Sequence, residues 1–104
     1  MAWLFLILGG IFEIGWPLGF KLASTAQHKF LFIGMSMVCM ALSGLFLYLA
    51  QQTIPIGTAY AVWTGIGAIG TLTVGIIFFH DPAGFMRLFS AFLIIAGIIG
   101  LKFF

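Results

Sequence analysis

Four long apolar runs divide this chain, and polar residues gather almost entirely between them. The runs extend from about Ala2 to Phe20, Phe30 to Ala50, Pro55 to Phe79 and Met86 to Lys102. A membrane-crossing helix needs about 20 apolar residues, so the pattern predicts four spans. Lys21–Lys29, with Ser24, Thr25, Gln27 and His28, forms the expected first loop. Gln51, Gln52 and Thr53 mark a short second connection, and Pro55 suits a first helical turn, where its missing N–H is no loss. His80-Asp81-Pro82-Ala83-Gly84 is a turn cluster. Connections this short join neighbouring antiparallel helices. The expected fold is all-α, one four-span domain over residues 1–104.

Composition removes the soluble alternative. The 104 residues are 63% hydrophobic and 6% charged, with a mean hydropathy of +1.29. A soluble domain of this size cannot hide so much apolar surface. The net charge of +2 rests on four basic residues, too few to suggest nucleic-acid binding. Met1–Phe20 lacks a basic leading segment, carries Glu13 and Trp16, and has no clean small-residue cleavage site, so it is expected to be a retained span. Cys39 is the sole cysteine and sits among apolar neighbours, as an inert buried thiol does. Lys21, Lys29 and Arg87 flank the first and third loops, against Lys102 and the terminal amine on the other side. That bias leans towards cytoplasmic first and third loops, and it is weak. Lys102 is placed to snorkel.

Glu13 is the residue that points to chemistry. It is one of only two acidic residues, and it lies inside the first span. A charge at that depth costs roughly 3 kcal/mol or more, so it marks a proton or ion site by default. Gly9, Gly10, Glu13, Trp16 and Pro17 share one helix face by their spacing of three and four. Gly10 leaves space before the carboxylate and Trp16 supplies an aromatic wall, which together make a plausible cation pocket. The alternative is a protonated Glu13 in a helix contact, with Trp16 as lipid-facing bulk. One carboxyl can hold a proton or a cation, each displacing the other. That competition suffices for exchange if the site faces each side of the membrane in turn.

The other spans carry fewer signals. Tyr60 and Trp63 share a face of span 3, continued by Gly67. Tyr60 can donate to a carboxylate and Trp63 can stack on a cation; both also suit an interfacial aromatic belt. Gly65, Gly67 and Gly70 serve either as a hinge or as packing notches. In span 2, Ser36 and Ser43 are expected to bond their own helix backbone unless they meet Glu13. Span 4 places Ser90 and Gly97 on one face, seven apart, as a dimer-packing surface. His28 and His80 fall in different loops, and no metal site or cofactor is expected. No nucleophile–base pair is apparent in the spans, so an enzyme is not expected. Four short helices enclose little volume, and a homodimer would place two Glu13 side chains around one chamber, with coupled titrations.

The chain resembles the small multidrug resistance family of four-span, proton-coupled exporters. The likeness covers essentially the whole length. It rests on Glu13 in span 1 and on the run P-x-G-x-A-Y-A-V-W-T-G-I-G from Pro55 to Gly67. The resemblance implies an antiparallel, dual-topology homodimer in the cell inner membrane. It implies Glu13 as the shared proton and substrate site, with Tyr60 and Trp63 lining the pocket. Ser43 falls where one branch of the family places a serine that hydrogen-bonds the glutamate.

That branch exports guanidinium and its simple derivatives; another exports quaternary ammonium and bulky aromatic cations. The features that resemble the guanidinium branch are Gly10-x-x-Glu13-x-x-Trp16, Ser43, Trp63–Ala68 and the ending Gly97–Lys102. Guanidinium is planar, always charged and weakly hydrated, and it forks onto a carboxylate through two hydrogen bonds. Pro17 is expected to bend span 1. Gly44 leaves a gap towards lipid that would admit hydrophobic cations, which keeps the broader multidrug exporter as the alternative. A proton-carrying subunit of a rotary ring and a purely structural membrane subunit are further alternatives.

Overall fold

The computed structural model describes residues 1–25 and 27–104. Its helices are α1 (Ala2–Thr25), α2 (Lys29–Ala50), α3 (Ile56–Phe78) and α4 (Phe85–Phe103). All four are long and apolar enough to cross a membrane. Even α4, at 19 residues, reaches about 29 Å, close to the thickness of a hydrocarbon core.

Two boundaries differ from expectation. The first helix runs on to Thr25, through residues expected to form a loop. Ala23 is buried there, and Ser24 and Thr25 donate back to the Lys21 carbonyl at 2.7 and 3.3 Å. Hydroxyls satisfied inside the helix leave these residues no reason to unwind. Ala26 of the expected loop lies outside the described residues. Pro55 precedes α3 as its N-cap, in an extended conformation, one position before the first helical turn.

The first helix is central, packed along α2 and against α3, while α4 packs mainly on α3 and sends the Lys102 ammonium to 5.6 Å from the Trp3 ring centroid on α1. The α1–α2 contact is unusually close, and its cause is visible in the sequence. Ser36 Oγ donates to the Trp16 carbonyl at 2.9 Å, and Ser43 Oγ donates to the Gly9 carbonyl at 2.7 Å. The serines are seven apart on α2 and their acceptors seven apart on α1, so the two bonds form rungs two turns apart between antiparallel helices. Glycines make the approach possible. A Cβ at Gly9 would stand 3.2 Å from Phe46 Cβ, one at Gly15 would stand 2.6 Å from Cys39 Sγ, and one at Gly19 would collide with Ser36 Oγ. The span-2 serines therefore bond a neighbouring helix and not their own. Both are almost fully buried, at 0% and 1% exposure, where an unmade hydrogen bond is expensive.

Leu6, Ala50, Ile54, Ala59 and Val62 form the buried apolar cluster, where α1 begins, α2 ends and α3 begins. At the other end of α3 the chain turns through His80, whose φ is 59°. Phe79 and Asp81 both donate their backbone N–H to the Gly75 carbonyl, at 3.0 and 3.1 Å. Gly75 has no side chain, and the Asp81 carboxylate lies in the space a Cβ would take. No residue of α4 is buried.

Candidate functional site

The Glu13 side chain crosses from α1 to α3. A Cβ at Gly67 would lie 2.5 Å from Glu13 Cγ, so α3 accepts the acid only because position 67 is glycine. Trp16, one turn further along α1, donates its indole N–H to Glu13 Oε1. The carboxylate opens into a hollow of about 650 Å³ between α1, α2 and α3. Trp16, Tyr60 and Trp63 supply its aromatic walls. The ring centroids of Tyr60 and Trp63 lie 5.4 Å apart, so the two form one continuous surface.

Behind that surface, Trp63 Nε1 donates to Ser43 Oγ at 2.8 Å. Ser43 is thus fixed at both ends, accepting from Trp63 and donating to Gly9. It does not line the hollow; it sets the angle of the ring that does. Its hydrogen bonds in the single protomer go to the indole and the Gly9 backbone, not to the Glu13 carboxylate expected from the family resemblance.

Gly10 lies elsewhere than expected. It is buried against α3, where a Cβ would come 2.5 Å from Ile66 Cγ2. It lets α1 and α3 close up, while Gly67 is the glycine that makes room for the acid. Gly65 packs under α4, with Ile98 Cδ1 2.8 Å from the position of an added Cβ. The third helix is unbroken from Ile56 to Phe78 through both glycines, so in this conformation both act as notches. Ser90 and Gly97 lie on exposed α4, which contributes no residue to the lining of the hollow. Ser90 Oγ donates to its own Met86 carbonyl at 2.8 Å, and nothing stands within 4 Å of a Cβ at Gly97.

Several residues at the hollow were not singled out from sequence. Thr64 and Thr71 line it from α3, with Met40 and Leu47 from α2. A signal for the threonines existed: 60, 64, 67 and 71 repeat at four, three and four, one face of a helix. Pro17 lines the hollow as well. Lacking an N–H, it leaves the Glu13 backbone carbonyl without its helical donor.

Four helices able to cross a membrane, with one acid facing an aromatic-walled hollow, define a polytopic membrane protein built around a cation-attracting carboxylate. The chain belongs to the Small Multidrug Resistance protein family, whose model matches residues 1–94. It is 45% identical over 102 residues to the guanidinium exporter of Yersinia pestis, a match covering 98% of this chain and 97% of that protein. The guanidinium exporters of Salmonella typhimurium and Citrobacter freundii are 42% and 43% identical over 105 residues, covering 98% of this chain and 96% of theirs.

Proposed function

We propose that this protein exports guanidinium and small substituted guanidinium cations across the cell inner membrane, in exchange for protons held by Glu13. The observation that carries this is a single carboxylate set in a hollow of aromatic faces, in a chain 42 to 45% identical to proteins named guanidinium exporters. The cation binds the Glu13 carboxylate through paired N–H groups, and Trp63 and Tyr60 offer their ring faces to its delocalised charge. A proton arriving at Glu13 removes the counter-charge and releases the cation. The Trp16 N–H holds one carboxylate oxygen in the meantime.

Transport requires the hollow to open to each side in turn. The working unit is an antiparallel homodimer, in which two oppositely inserted copies make the inward-open and outward-open forms equivalent. The exposed α4 supplies the surface between copies, with Ser90 and Gly97 as its small residues, and the α3 glycines Gly65 and Gly67 absorb the bend. The sparse flanking charge suits insertion in either orientation.

A second reading is favoured by one feature. Gly44 lines the hollow, and nothing stands within 4 Å of a Cβ there. With Met40 and Leu47 beside it, that wall is apolar, open and adaptable, which suits alkylated or quaternary cations. The test is transport by purified protein in proteoliposomes under a pH gradient, with guanidinium, phenylguanidinium and a quaternary ammonium ion. Guanidinium-driven current that vanishes in E13Q supports the exporter. Current from the quaternary ion alone moves the protein to the broader class, and coupled transport surviving in E13Q overturns the assignment of Glu13.

A further inference from the structure

A second hollow, of about 210 Å³, lies between the ends of α1 and α3, lined among others by Pro17, Lys21, Thr71, Phe79 and Asp81. Pro17 and Thr71 also line the Glu13 hollow, so the two spaces are neighbours along one wall. We propose that this outer hollow is a second organic-cation site, holding a guanidinium-type cation between the Phe79 ring and the Asp81 carboxylate, with Lys21 as the resident cation it displaces.

Three observations converge on that chemistry. The Lys21 ammonium stands 5.8 Å from the centroid of the Phe79 ring, so a cation already occupies the aromatic face. The chain has only two acidic residues, and the second, Asp81, opens into this space. Its position is built. His80 adopts a left-handed conformation, the Asp81 N–H is bonded to the Gly75 carbonyl, and the side chain occupies the gap over Gly75. A carboxylate, a ring face and an ammonium in one small hollow are the parts of a cation site filled by a tethered side chain.

Guanidinium is the fitting competitor for Lys21. Its planar charge stacks on a ring and forks onto a carboxylate, and it sheds water more readily than an ammonium does. Lys21 is eight residues beyond Glu13 on α1, about 12 Å along the helix axis. A cation received at the outer site is therefore within one short step of the inner carboxylate. Lys21 keeps the outer site neutral when no substrate is there.

The inference rests on the reading that the protein moves organic cations, and two measurements separate them. In the first, full-length E13Q in lipid nanodiscs is titrated with phenylguanidinium, reading the amide signals of Thr71 and Phe79. A saturable shift is expected, with affinity about fivefold weaker in E13Q/D81N and about fivefold tighter in E13Q/K21M, the weight of one exposed cation contact. Asn at position 81 keeps the backbone N–H bonded to Gly75, so the turn is retained. The absence of a saturable shift, or a shift indifferent to both variants, overturns the proposal. In the second, guanidinium currents are compared in otherwise native protein and D81N. An approximately fivefold rise in KM at an unchanged maximum is expected; a lower maximum at unchanged KM makes Asp81 structural and overturns it. If native protein carries no guanidinium current while the titration succeeds, the exporter reading falls and the outer site stands.

Discussion

Trp63 and Ser43 are joined by a 2.8 Å hydrogen bond from the indole N–H to the hydroxyl, and the same hydroxyl donates 2.7 Å away to the Gly9 carbonyl. One buried oxygen thus ties the aromatic wall of the hollow on α3 to the backbone of the helix that carries the acid. Replacing Ser43 with Ala breaks both bonds at once and leaves the Trp63 indole N–H without its partner, while the Gly9 carbonyl keeps only its helical donor. The expected loss is about 1–2 kcal/mol of stability. Guanidinium affinity should fall with it, because Trp63 loses its fixed angle. Reversible unfolding in mixed micelles, with a binding titration on the same sample, checks both. An unchanged affinity in S43A would separate the ring's angle from substrate binding.

Gly67 and Gly44 both line the hollow but differ in what stands before them. An Ala at 67 would drive a methyl against Glu13 Cγ, only 2.5 Å away, while one at 44 would meet nothing within 4 Å. G67A should weaken guanidinium binding about tenfold or more by displacing the carboxylate, even though Ala favours the helix. G44A should leave stability within about 0.5 kcal/mol of the parent. If 44 is the doorway for bulky cations, G44A should depress quaternary ammonium currents more than guanidinium currents. Equal effects on the two currents would remove that role.

Gly10 is a packing position by geometry. G10A pushes a methyl into Ile66 and should cost about 1–3 kcal/mol as α1 and α3 separate. Trimming the obstacle in G10A/I66A should recover part of that loss, so the two changes should be non-additive. Strict additivity in the double mutant would place the damage elsewhere.

If protons and guanidinium claim the same carboxylate, affinity depends on pH with a definite sign. A proton must leave before the cation binds, so raising pH tightens binding, by about tenfold per unit while Glu13 is mostly protonated. The gain stops once the carboxylate is fully ionised. Intrinsic tryptophan fluorescence titrations between about pH 5 and pH 9 read this slope through Trp16 and Trp63. Affinity that stays flat down to the most acidic pH at which the protein remains folded would deny competition at Glu13.

Much of this was legible in the order of residues. Apolar run length marks the four helices, because a span must satisfy its backbone internally and stay apolar over a fixed thickness. Glu13 stood out for the cost of a charge at that depth. Tyr60 and Trp63 came from spacing and from the Pro55–Gly67 run. What was hidden depends on which helix faces which. Gly10 shares a face with Glu13 on α1, yet the acid reaches across to Gly67, and only the α1–α3 contact decides that. The resemblance pointed Ser43 at the Glu13 carboxylate, but that Ser36 and Ser43 bond the α1 backbone emerged only once the antiparallel register set each opposite a carbonyl. The extra turn of α1 was masked by polar residues that the helix satisfies by itself.

The attachment of α4 mainly through α3, with no buried residue of its own, divides the labour within this short chain. The three preceding helices hold the acid and its aromatic walls without any help from the fourth. If α4 carries the surface between copies, as proposed, pairing is written in a segment that contributes no residue to the lining of the hollow.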